Sequence, residues 1–317
     1  MHRIVASSFT PSQVLFTGRS GSTLRPVQYT RIVPLFAFFL LPPLANLVAR
    51  PGPQSAAEVP SNPQVLVQEA VQNGLRQMND AQVHWIFRET VRKDERLETR
   101  EICQTNAITI ERLAAVNGQP LSPEQQRRED ARVQALLSNA SEIRKERQRQ
   151  REDFLKQGRM FATFPDAFLY KYAGTDGDLV KLTFEPNPRF VPSSRQEEVF
   201  HHLEGAMWID PRQKQLARID GRLDSEVKFA GGLLGYLEKG GVFSVRFKGL
   251  SSGEWVMAAL DVEMNGKAML FKTISVQEQR QFDDYHRVPD NLSLKQGAEL
   301  LEKQASSTQQ TAANTSK

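Results

Sequence analysis

The chain has 317 residues with a formal charge of +4, but the excess is local. Residues 1–57 contain five arginines (Arg3, Arg19, Arg25, Arg31, Arg50) and no Asp or Glu, and removing those five from the 41 basic residues leaves 36 against 37 acidic ones. That balance gives no electrostatic reason to expect nucleic acid as a partner, and the length allows one large or two ordinary domains.

The first 57 residues read as a targeting segment. A basic stretch ends at Arg31, and "IVPLFAFFLLPPLANLVA" follows, eighteen uncharged and mostly apolar residues. Small residues then offer cleavage after Ala49 or Ala57. The segment is expected to act as a signal peptide or as an N-terminal membrane anchor. Eighteen residues just reach across a bilayer, and Pro34, Pro42 and Pro43 weaken a continuous helix. The basic stretch is long for an export signal, which suggests a true start nearer Val27. Cys103 is the only cysteine. An exported chain without an internal disulfide must be held by its core, which suits a bacterial periplasm or cell envelope.

Residues 50–63 form a proline-rich linker. Val65, Val67, Ala70, Val71, Leu75 and Met78 then recur at helical spacing, predicting an amphipathic helix over 64–80. "VHWIFRETV" places Val83, Trp85 and Phe87 on one side of a strand. "ETREICQTN" and "ITIERLAAV" read as further strands, with "NGQP" a turn. Residues 122–157 mix nine basic and seven acidic side chains. Ser122, Pro123 and Glu124 suit a helix start, so this segment is expected to be a solvated helix or helical hairpin inserted between strands.

The C-terminal half reads as a meander. Strands are expected at 178–185, 197–210, 214–230, 241–249, 254–264 and 267–277, divided by "DPRQK", "EKGG", "SSGE" and "MNGK". From Leu216 to Phe229 the side chains alternate, with Ala217, Ile219, Leu223, Val227 and Phe229 on the apolar side. Residues 303–317 are rich in Gln, Ser, Thr and Ala and read as a disordered tail. Consecutive hairpins imply an antiparallel sheet with helices on one face.

No catalytic constellation is apparent. His201 and His202, read as adjacent strand residues, face opposite ways and cannot share a metal. Cys103 reads as a small core residue. Gly231, Gly232, Gly235, Gly240 and Gly241 lack the context of a phosphate loop and instead allow a bend or bulge. Asp283–Asp284 and Glu197–Glu198 have nothing to set their two carboxylates apart. The expectation is no enzyme, no cofactor and no metal.

At "GAMWIDPRQKQLARIDGRL" the chain resembles the periplasmic lipoprotein-carrier superfamily with the LolA/LolB-like fold, especially its uncharacterised outer-membrane lipoprotein-sorting-like members. The matching features are the strand into Trp208-Ile209-Asp210, the turn at Pro211 and the long return strand. The order of export signal, helix, strands, helical insertion and meander also agrees over roughly Pro63 to Pro289. The resemblance implies an α+β fold: a strongly curved antiparallel half-barrel with helices covering the concave side, spanning 58–302. It implies a non-enzymatic carrier that holds acyl chains or lipoproteins on the concave apolar face. The residues placed there are Trp85, Phe87, Ile219, Leu223, Val227, Phe229, Phe243, Val245, Phe247 and Leu260. A membrane surface and an envelope protein are the further partners expected. The alternative is an anchored envelope scaffold or sensor whose core is simply filled.

Overall fold

The computed structural model describes residues 59–79, 83–268 and 272–315. Residues 1–57, where a targeting segment is expected, lie outside them. Among the described residues no helix is long and apolar enough to cross a membrane.

The chain opens with α1 (Pro63–Asn79), close to its predicted span. Then come β1 (His84–Lys93), β2 (Arg96–Gln104), β3 (Thr109–Val116) and the short β4 (Gln119–Pro120). Asn117 and Gly118 both take positive φ at the β3–β4 turn, as a tight two-residue hairpin demands. The charged segment is a helical hairpin, α2 (Pro123–Ser138) and α3 (Ala140–Ala167). Ser122 and Gln125 form a reciprocal capping box at its start, and Asn139 caps α3 through the N–H groups of Ser141 and Glu142. Strands β5 (Phe168–Asp176), β6 (Leu179–Pro186), β7 (Leu203–Asp210), β8 (Gln215–Leu223), β9 (Val227–Phe229), β10 (Gly235–Leu237), β11 (Val242–Gly249), β12 (Trp255–Ala268) and β13 (Lys272–Val288) follow, then α4 (Leu294–Thr315).

All neighbouring strands pair antiparallel in one curved, open sheet, ordered β4-β3-β2-β1-β13-β12-β11-β8-β7-β6-β5, with β9 and β10 added beside β12. The fold is α+β, as expected. The edges β4 and β5 are not paired with each other, and α2 and α3 are the covalent link between them.

Helices pack on both faces rather than one. The apolar row of Trp85, Phe87, Ile219, Val245 and Leu260 meets Leu66, Val67 and Ala70 of α1 and Phe161 and Phe164 of α3 in the main core. On the opposite face of β1–β3, Ile86, Cys103 and Ile110 meet Val133 of α2 and Ala298 and Leu301 of α4. Residues 303–315 therefore continue a helix, where composition suggested a disordered tail. Leu301 and Ala305 are buried and hold its first half.

Three strand assignments shift for physical reasons. Residues 197–202 form a 3-10 helix, not the start of a strand, so the opposite-face argument about His201 and His202 does not apply. His202 Nδ1 sits 2.8 Å from Ser225 Oγ. The "MNGK" stretch runs inside β12. Its Gly266 serves close approach instead of a turn, because a Cβ there would collide with the Tyr236 carbonyl of β10. The strand predicted over 214–230 breaks at Asp224–Glu226, although the alternation of buried and exposed residues carries across the break.

Candidate ligand-binding site

The structure brings the ten candidate residues to one face of one sheet. Trp85, Phe87, Ile219, Leu223, Val227, Phe243, Val245 and Leu260 are buried in the main core, and Phe229 and Phe247 pack against it partly buried. Two features build this face beyond simple alternation. Asp284 takes a positive φ where β13 slips register against β1, so that Phe282 and Tyr285, three apart, both join the core. Tyr285 then stacks on Phe87 at 4.8 Å, meets Trp85 edge-on at 6.1 Å, and donates its hydroxyl to the Met257 carbonyl at 2.9 Å. Burial, aided by the nearby Glu89 and Asp283, pushes the Tyr285 hydroxyl pKa far up, so it stays a proton donor. Gly205 and Gly221 lie opposite each other on β7 and β8. The rings of Phe184 and Phe243 cover them, leaving no room for a Cβ.

The helical layer supplies residues that the sequence reading missed. Met160, Phe161 and Phe164 of α3 are buried, and Phe164 meets Phe161, Phe168 and Phe200 edge-on at 5.5–5.7 Å. The spacing of Phe154, Phe161 and Phe164 is the signal that could have extended the helix past residue 157. Helix α1 approaches α3 closely because Gly74 faces Phe161, where an added Cβ would lie 2.6 Å from the ring. One polar attachment ties α1 to the β7–β8 turn. Asn73 Nδ2 donates to the Lys214 carbonyl at 2.9 Å and the Gln213 carbonyl at 3.2 Å, while Lys214 Nζ pairs with Glu69 at 3.2 Å. Asp210 shapes that turn by accepting the Arg212 and Gln213 N–H groups at 2.8 and 2.9 Å.

Under α1 and α3 lies a space of about 40 Å³, lined by Gln77, Met78, Phe161, Leu216, Phe247 and Met257 among others. This is room for one water, whereas the opposite, polar face of the sheet carries an open depression of about 760 Å³. Lys171, Glu185, Glu204, Asp220, Arg222, Ser244 and Asp261 are among its lining residues, and most are engaged with one another: Lys171 with Glu185, Arg222 with Glu204, Ser244 with Asp220. Within the apolar pocket, Gln77 is buried and its Nε2 finds no hydrogen-bond partner among the described residues.

The remaining candidates take structural places. Cys103 is fully buried against α4, and burial pushes its thiol up to about 12, which removes it as a nucleophile. Trp208 of the resemblance motif lies between Arg218, 4.5 Å from its ring, and Lys181 at 5.1 Å, while Ile209 is in the core. Among the described residues no group of three His, Cys, Asp or Glu is placed to hold a metal.

No family model matches this sequence, and no curated protein does. Among solved structures, a DUF1329 family protein from Desulfovibrio piger is similar at 8% identity, over 71% of this chain and 93% of that one, with a TM-score of 0.27. A score that low carries no argument about function.

Proposed function

We propose that the protein is a non-enzymatic binding protein of the bacterial envelope. It takes an acyl chain, or the acylated end of a lipoprotein, onto the apolar face of its sheet. Helix α1 and the C-terminal half of α3 form the layer that yields to admit the chain. The observation that carries this reading is the buried Gln77 amide, a donor without an acceptor in a mostly apolar space that Gln215 also lines. Leaving such a group unpaired costs about 1–3 kcal/mol. An acyl carbonyl with its hydrocarbon tail supplies both the missing acceptor and the apolar surface, with about 0.8 kcal/mol gained per buried methylene. The attachment to the β7–β8 turn through Asn73, Glu69 and Lys214 gives α1 a defined place to release.

A second reading, an envelope scaffold with a filled core, is favoured by the small volume beneath α1. The two separate by joining α1 to the β7–β8 turn. Cysteines at positions 73 and 214 (N73C, K214C) are bridged with a short bis-maleimide, and binding of a fluorescent fatty acyl probe is measured before and after. The carrier reading expects binding by the parent and by the unbridged variant, and its loss on bridging. No binding by the parent rejects the carrier in favour of the scaffold. Val227→Phe adds a second arm: reduced probe binding with little change in urea midpoint supports the carrier, and a destabilised protein without binding supports the scaffold.

A further inference from the structure

The ends of β6, β8 and β12 and the starts of β7, β11 and β13 lie at one end of the sheet. Two loops at that end present the two most exposed large apolar side chains among the described residues, Val191 and Leu233, with Leu234 beside the second. Val191, in the loop between β6 and β7, is 81% exposed, and Leu233 and Leu234, between β9 and β10, are 72% and 45% exposed. The second loop is built to hold its leucines outward. Ala230, Gly231, Gly232 and Gly235 all take positive φ. The Leu233 N–H bonds the Ala230 carbonyl at 3.2 Å, and the Leu234 N–H bonds the Phe229 carbonyl at 3.3 Å. Behind the tip, Lys228, Tyr236 and Lys267 stand side by side across three strands, with both lysines exposed.

We propose that this end of the sheet contacts a lipid surface, with Leu233 and Leu234 entering the acyl boundary and the Lys228–Tyr236–Lys267 row resting among the headgroup phosphates. Two adjacent leucines on a narrow tip offer far too little area for a stable protein interface, which buries about 1,200 Å² or more. They suit a fluid apolar phase that needs no matching shape. Lysine and tyrosine both place a polar end in water or headgroups above an apolar stem, which is how side chains meet a membrane boundary. The charge at this end is mixed. Lys228 pairs with Glu226 at 3.3 Å, and Asp224 and Glu238 lie nearby in sequence, against Arg189, Arg195 and Lys239. Apolar insertion, not net charge, is therefore the main attraction. The tip adjoins the candidate residues Val227 and Phe229 of β9, but the inference does not depend on the acyl reading.

The test uses the full chain with a polarity-sensitive fluorophore on Leu233→Cys. Cys103 is fully buried and stays unlabelled. Asp178→Cys, on the β5–β6 turn at the other end of the sheet, is the control. Vesicles of phosphatidylcholine with one-third phosphatidylglycerol are added, with or without bromine on the acyl chains. The proposal expects a blue shift and bromine quenching at position 233 and neither at 178. An unlabelled Leu233→Ser/Leu234→Ser variant, folded by circular dichroism, should bind these vesicles about ten-fold less than the parent. Equal signals at both positions, no quenching at 233, or unchanged binding by the double variant would overturn it. So would self-association of the parent that the serines abolish, which would make the tip a contact between copies.

Discussion

Helix α3 docks in two ways along its length. Its C-terminal part, from Gln157 to Ala167, buries Met160, Phe161 and Phe164 against α1 and the apolar face of the sheet. Its N-terminal part, with α2, adds to the packing of Val133 and Ile143 in the second core a set of polar contacts along the bare edge of β3. Only Ala115 and Val116 of β3 pair with β4, so the alternate residues Thr109, Glu111 and Leu113 turn their outward backbone groups to the helical hairpin. Gln150 accepts from the Thr109 N–H at 2.8 Å and donates to its carbonyl at 2.9 Å, as a neighbouring strand would. Glu129 accepts the Leu113 N–H at 2.9 Å, and Arg132 and Arg147 donate to the Glu111 and Ala107 carbonyls at 2.6 and 3.0 Å. One half of the helix contributes burial; the other blocks a strand edge that would otherwise be open to pairing with another chain.

The apolar half should dominate stability. Phe164→Ala removes a nearly inaccessible ring touching three others, and a loss of about 3–5 kcal/mol in urea unfolding is expected. A loss below about 1 kcal/mol would show that α3 is not seated in the core. Gly74→Val tests the close approach of α1 to α3. The new side chain meets the Phe161 ring, and overpacking of this kind costs about 1–3 kcal/mol. A neutral result would mean that α1 shifts freely over α3.

The sequence carried much of this in its periodicity. Alternation placed Ile219, Leu223 and Val227 on one face, and helical spacing placed α1, because burial imposes periods of two and 3.6. The same periodicity could not say what covers each face. Whether the apolar face meets a ligand space or packed rings depends on residues such as Phe161 and Phe164, which arrive from another part of the chain. Strand β5, "FLYKYAGTD", escaped because its burial pattern has only Phe168 and Tyr170 inward before the strand becomes exposed throughout. The 122–157 segment reads as a helix or helical hairpin, and the structure has the hairpin, but its pattern does not show an edge cover. Its polar contacts with β3 run mostly from side chain to backbone and leave no mark on hydrophobic spacing.

On the polar half, Gln150→Ala removes both amide contacts with Thr109 and should cost about 1 kcal/mol. Faster amide hydrogen exchange at Thr109, with the Phe164 region unchanged, is the expected sign. Equal acceleration in both places would mean that the two halves of α3 open together.

The smallest effect separates charge from geometry at Glu129. Burial alone would raise the pKa of this carboxyl, but the Arg132 hydrogen bond and charge, the Leu113 N–H and Arg112 outweigh it and hold the pKa below the ordinary range. A group with a depressed folded pKa stabilises above its unfolded value, near about 4.3 for glutamate. That contribution fades as pH falls through the lower folded pKa. Glu129→Gln keeps an oxygen that can accept the Leu113 N–H and removes the charge together with the acceptor of the Arg132 Nε–H. At pH 7 the variant should be less stable by under about 1 kcal/mol, since the pair is partly solvated. The difference should shrink as the medium is taken below about pH 4, because the unfolded parent takes up its proton there while the folded carboxyl does so only at its lower pKa. Urea midpoints of both proteins from pH 7 to pH 3 read this directly. A gap that stays constant across that range would mean that the carboxylate charge does not hold α2 to β3, and that the acceptor geometry alone does.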